Sequence, residues 1–89
     1  MTAVHVVIQG RVQGVGFRFF AQETAVAHGL KGWVRNRPGG EVEAEAEGEL
    51  AAIEKWLEDL RKGPPLARVD SLQVDWRPVI QPSPNFEIR

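Results

Sequence analysis

From Glu41 to Glu47 the chain alternates without a break, Glu-Val-Glu-Ala-Glu-Ala-Glu. Two residues is the side-chain period of a β-strand, so Val42, Ala44 and Ala46 share one face and Glu41, Glu43, Glu45 and Glu47 the other. A strand divided in this way belongs in a sheet with one dry face and one wet face, which calls for an antiparallel sheet with helices on a single side. The glutamates resemble a metal or acid–base set in number only. Period-two spacing strings them along an open face rather than around a point, and they are expected to be solvated. Such a row also repels an anion.

The remaining segments supply the other strands and the covering layer. Val4 to Gln9 is β-branched, with Val4, Val6 and Ile8 on one face and His5, Val7 and Gln9 on the other, and its apolar character on both faces suits an interior strand. His5 is expected to be a sheet-face residue. From Phe19 to His28 the residues tolerate a helix, with Phe17, Phe20, Ala21, Thr24, Ala25 and Ala27 forming an apolar stripe; Gly29 then caps it, Leu30 provides the usual hydrophobic contact, and His28 sits well against the helix dipole. Lys31 to Asn36 reads as a second strand, and Arg37-Pro38-Gly39-Gly40 as the turn into the alternating third. Glu49 to Lys62 is the clearest helix, with Leu50, Ile53, Trp56, Leu57 and Leu60 at spacings of three and four, and Gly63-Pro64-Pro65 stops it. Val69, Leu72, Val74 and Trp76 mark a fourth strand with an irregularity at Asp70 or Ser71. Gln81-Pro82-Ser83-Pro84 is a polar tail that returns to a short strand-like Phe86-Glu87-Ile88-Arg89.

Strand, helix, strand, strand, helix, strand is the split βαβ order. It predicts an α+β, ferredoxin-like fold (βαββαβ): a four-stranded antiparallel sheet with two helices on one face, in a single domain spanning residues 1–89. A chain of this length buries only about 60–65% of its unfolded surface, so one core must serve.

Composition narrows the function. There is no cysteine, which removes disulfides, thiolate metal sites and a cysteine nucleophile, and two histidines do not make a zinc site alone. A formal net charge of −1 provides no field for a polyanion, so nucleic acid is not an expected partner. The apolar N-terminal run is short and lacks a basic flank, and no run approaches the roughly 20 apolar residues of a membrane span. A soluble, cytoplasmic monomer is expected, with no membrane partner.

Gly10-Arg11-Val12-Gln13-Gly14-Val15-Gly16-Phe17-Arg18 joins the first strand to the first helix through closely spaced glycines and ends in a cation. A chain turning through Gly14 and Gly16 into a helix points several free amides at one spot, where the helix adds about half a positive charge. Arg18 brings a planar, permanently charged fork that suits phosphate oxygens. The segment lacks the Lys-Ser or Lys-Thr of a nucleotide P-loop, and Phe19 stands where a dinucleotide fingerprint needs its third glycine. What remains is a nest for a small anion.

At these residues the chain resembles the acylphosphatases. Gly10 to Arg18 is similar to their signature Gly-Arg-Val-Gln-Gly-Val-x-Phe-Arg, and Gly32-Trp33-Val34-Arg35-Asn36 to their second. The likeness runs over nearly the whole chain to Phe86-Glu87-Ile88-Arg89 and implies the same fold. It implies metal-independent hydrolysis of acyl phosphates to carboxylate and inorganic phosphate. On this likeness Arg18 is expected to bind the phosphate, together with the loop amides of Gln13, Gly14, Val15, Gly16, Phe17 and Arg18, and Asn36 to position the water. No metal or cofactor is expected.

The residues themselves fit this chemistry. The loop holds no Cys, His, Asp or Glu to form a covalent intermediate, which leaves water as the nucleophile. Neither Asn36 nor Arg18 accepts a proton, and catalysis without a protein base suits a substrate whose leaving group is a carboxylate. Arg11 and Arg35 are expected on the surface. The family often follows its asparagine with Thr or Leu and reaches Gly-Thr-Val after a variable turn. Here Arg37-Pro38-Gly39-Gly40-Glu41-Val42 stands instead, a turn able to shift Asn36 or to bring Arg37 toward the site. Two other roles fit the same residues: the acylphosphatase-like domain that begins large carbamoyl-transfer maturation proteins, and a phosphate-binding module without turnover. No zinc-finger cysteines follow, and a stand-alone enzyme is the preferred expectation.

Overall fold

A computed structural model describes residues 1–79 and 82–89. The elements are β1 (Thr2–Arg11), α1 (Phe17–Ala27), β2 (Lys31–Asn36), β3 (Val42–Gly48), α2 (Leu50–Lys62), β4 (Arg68–Arg77) and β5 (Phe86–Ile88). They form a five-stranded sheet in the order β4-β1-β3-β2-β5.

The first four strands pair antiparallel, as their patterns predict, with β1 central between β3 and β4. The expected four-stranded antiparallel sheet is incomplete by one strand: β5 runs parallel to β2, pairing Gly32 with Phe86 and Val34 with Ile88, so the sheet is mixed. Three residues are too few to display alternation. The strand is held by long-range bonds instead, Gly32 N–H to Asn85 O at 2.9 Å and Arg89 N–H to Val34 O at 2.8 Å. The polar tail expected from Gln81 starts outside the described residues. Its later part folds back over the sheet end, where the Ser83 amide donates to Glu47 and Lys31 Nζ donates to Pro84 O at 3.0 Å.

Val4, Val6, Ile8, Val34, Val42 and Ala44 are fully buried and meet Phe17, Ala21 and Ala25 of α1 and Ile53, Trp56, Leu57 and Leu60 of α2. Trp56 unites the helices, donating its indole N–H to Ala21 O at 3.1 Å and meeting Phe86 edge-on at 5.9 Å. Two stripe residues depart from expectation. Leu50, at the first position of α2, is 53% exposed, and Ala27, at the last of α1, is exposed, because each stripe outruns the layer beneath it. Helix α1 closes as expected, with Leu30 N–H on Ala25 O at 2.9 Å and Gly29 N–H on Val26 O at 3.0 Å. The ring of His28, however, pairs with Asp59 of α2 at 2.9 Å.

The irregularity in β4 is real: Gln9 faces Ser71 and Gly10 faces Val69, leaving Asp70 as the extra residue of a bulge. Gly10 lies so close to β4 there that a Cβ would sit 2.1 Å from Arg68 O. Pairing resumes beyond the bulge and holds β1 to Arg11, where the glycine loop begins.

The glutamate face is less wet than its pattern implies. Glu43 accepts from His5 Nε2 at 2.7 Å and from Arg35 Nε at 2.7 Å, and Glu45 accepts from Trp33 Nε1 and Arg77 Nη1, both at 3.0 Å. Glu47, expected to be solvated, is 7% exposed because the C-terminal tail covers it. Burial pushes the Glu43 carboxyl up, but its bonds to His5 and Arg35 and their charge outweigh this and hold it below its ordinary 4.5.

Candidate active site

Past Arg11 the chain leaves β1, buries Val12, and reaches α1 through two left-handed glycines, Gly14 at φ 75° and Gly16 at φ 79°. No other residue type takes positive φ among the described residues. A Cβ at either glycine would meet nothing within 4 Å, so the requirement here is backbone conformation rather than crowding. Gly16 occupies the N-cap of α1 without a side-chain cap, and no acid stands in the first turn. The first backbone bond of the helix runs from Phe20 N–H to Gly16 O at 3.1 Å. Among the described residues, the amides from Gln13 to Phe19 have no backbone acceptor. Such unspent N–H groups, together with the helix dipole, form an anion nest.

A cleft of about 140 Å³ opens on this nest, lined by Val12, Gly14, Gly16, Phe17, Arg18, Phe19 and Asn36. This is well below the roughly 300–1,000 Å³ of a drug-sized pocket, so it suits a small ion or the end of a larger molecule. Its residues come from the β1–α1 loop, the first turn of α1 and the last position of β2. Arg18 has no ion-pair partner among the described residues, whereas Arg35, Arg37, Arg68, Arg77 and Arg89 each have one. A larger hollow, about 200 Å³, lies at the opposite end of the sheet beside Trp33, Glu45, Glu47 and Arg77. Its carboxylates make it unsuited to an anion.

Arg18 and Asn36, separated by most of a helix, a turn and a strand, therefore reach one cleft, with Gly14, Gly16 and Phe17 of the expected loop. Gln13 and Val15 are not among the lining residues: Val15 packs against the core, and the Gln13 side chain turns to the β2–β3 turn, donating to Arg37 O at 2.7 Å and Glu41 O at 2.9 Å. Arg37 stays outside the cleft, its guanidinium 3.9 Å from Glu41. Arg11 and Arg35 are exposed, as expected. Val12 and Phe19 border the cleft without having been anticipated. Phe19, 70% exposed, follows Arg18 directly, and that adjacency was the available signal.

Fold and cleft together define an α+β sandwich with a small cleft, bordered by Arg18 and Asn36, at the head of its first helix. The acylphosphatase family profile matches residues 4–88, and the chain belongs to that family, within the hydrolases. The acylphosphatase of Bacillus pumilus is 44% identical over 89 residues, covering 100% of this chain and 99% of its own. The crystal structure of acylphosphatase from Bacillus subtilis matches at a TM-score of 0.98 with 37% identity, over 100% of this chain and 99% of that one. Full-length HypF, solved in a phosphate- and nucleotide-bound form, matches at a TM-score of 0.88 with 33% identity, over 99% of this chain but 12% of its own. Among the described residues no helix is long and apolar enough to cross a membrane.

Proposed function

We propose that this chain hydrolyses acyl phosphates, as a single cytoplasmic domain acting as a monomer, by direct attack of water on phosphorus. The observation that carries the reading is the meeting of Arg18, unpaired among the described residues, with Asn36 at one small cleft over the uncapped head of α1. The loop amides from Gln13 to Arg18 and the Arg18 guanidinium hold the phosphoryl oxygens and stabilise their charge in a loose transition state. The Asn36 amide holds a water in line. Its oxygen bonds to phosphorus as the bridging P–O bond breaks. The carboxylate leaves with that electron pair, and a proton of the water passes to a phosphoryl oxygen, giving inorganic phosphate. The cleft lining contains no carboxylate, imidazole or thiol, in keeping with a route that has neither a phosphoenzyme nor a protein base.

The test is hydrolysis of benzoyl phosphate by the purified chain in the presence of a chelator, beside a phosphate monoester. Turnover of the acyl phosphate alone is expected. A folded chain that binds inorganic phosphate without turnover would instead be a binding module.

A further inference from the structure

The Gln13 side chain ties together the two segments that carry the chemistry. Its backbone is anchored by Val12, which is 1% exposed, and its Nε2 donates to Arg37 O at 2.7 Å and to Glu41 O at 2.9 Å. Those carbonyls mark the two ends of the β2–β3 turn. Within the turn Arg37 N–H donates to Glu41 O at 2.8 Å and Gly40 N–H to Arg37 O at 3.1 Å, so each carbonyl takes one bond from the turn and one from Gln13. Asn36, paired with Val42, is the last residue the sheet holds before this turn, and Pro38, Gly39 and Gly40 beyond it are exposed. The clamp lies where the water-holding residue would otherwise depend on a glycine-rich turn.

We propose that Gln13 is a positioning residue, whose side-chain amide fixes Asn36 relative to the phosphate nest by clamping both ends of the turn that follows it. The inference rests on the reading of Asn36 as the residue that orients water. The chemistry of the partners explains why an amide stands here: two carbonyls facing one atom require a donor with two hydrogens, and a carboxylate of the same shape would oppose acceptor to acceptor. Because the nest is built from backbone, replacing the side chain leaves its donors in place. Gln13 then acts on attack and not on phosphate binding.

The test measures kcat on benzoyl phosphate and inhibition by inorganic phosphate for the wild type, Gln13→Ala, Asn36→Ala and the double variant, with the phosphate-induced rise in Tm as proof of a folded nest. Gln13→Ala is expected to lower kcat about tenfold or more while phosphate inhibition changes by less than about threefold, since displacement of a positioned reactant by an ångström is that costly. In the Asn36→Ala background the same change is expected to have no further effect. Gln13→Glu adds a readout that lost packing would not produce. Its kcat relative to wild type should recover as pH falls and the carboxyl regains one donor, while that of Gln13→Ala stays flat. Should Gln13→Ala unfold, Gln13→Met keeps the length and removes both donors.

Unchanged kcat in Gln13→Ala, an equal loss in both backgrounds, or loss of phosphate binding would overturn the clamp. If Asn36→Ala lowers kcat and Gln13→Ala does not, the clamp alone fails. If Asn36→Ala keeps full kcat, the assignment of Asn36 fails and takes the clamp with it.

Discussion

On the open face of the sheet Arg35 and Arg77 are bound to Glu43 and Glu45 at 2.7 and 3.0 Å, whereas at the head of α1 Arg18 has no carboxylate partner among the described residues. The two regions differ in the same way in their other donors. Trp33 and His5 spend theirs on the glutamates, while the amides from Gln13 to Phe19 are unspent on backbone acceptors among the described residues. The first region has satisfied its charges internally and gains modest stability by doing so. The second holds donors in reserve, and a group that brings its own negative charge is what they lack. The contrast separates the two regions by what the fold leaves unpaired, not by the density of charge, which is greater on the open face.

The comparison is most exposed to replacement of Arg18. Arg18→Gln is expected to lower kcat/KM for benzoyl phosphate by about 10³-fold or more and to weaken inhibition by phosphate. Arg77→Gln, on the paired face, should leave kcat/KM within about twofold, and equal losses in both would erase the distinction. Next in size is Asn36→Ala, expected to lower kcat about 10²-fold with phosphate inhibition preserved. A matching loss of phosphate affinity would merge the roles of Arg18 and Asn36.

Gly16→Ala separates backbone from side chain at the cleft. With φ at 79° and space for the methyl, its cost is left-handed strain of about 1–2 kcal/mol, read as a fall in Tm of several degrees together with weaker phosphate inhibition. Unchanged Tm would show that the loop readily adopts another path. The smallest effect belongs to the paired face. Glu43 is held below its ordinary 4.5, so it contributes stability in full above that value and loses it as pH falls through the lowered one. Glu43→Gln should therefore unfold at lower urea than wild type near neutrality, by about 1 kcal/mol, with the gap closing in acid. A gap independent of pH would mean the charge on Glu43 plays no part.

The parts of the candidate site were more legible in the sequence than the sheet edge, for physical reasons. Gly14, Gly16 and Arg18 act through local conformation, and turn, helix head and cation lie within five residues. Alternation placed β1 and β3 because each has a covered face, and the bulge at Asp70 broke a visible pattern. The Gln13 clamp reaches partners 24 and 28 residues away and leaves no local trace. The same holds for β5, whose three residues depend on a distant edge, and for Glu47, whose burial comes from a tail at Ser83. Leu50 and Ala27 show the complementary error, since a helical stripe records which side is apolar but not how far the neighbouring layer extends.

The central place of β1 carries a consequence in time. The strand nearest the N-terminus lies between residues 42–48 and residues 68–77, so the middle of the sheet has no hairpin from which to start; β2 with β3 is the one local pair among the described strands. Closing such distant contacts costs chain entropy before any burial repays it, which makes for a slow, concerted search rather than growth from one end. The glycine loop follows directly on β1, whose last residue, Arg11, is paired with Arg68 of β4. On a chain emerging from the ribosome, the anion nest would therefore be among the last features to acquire its shape, although its residues are among the first to be made.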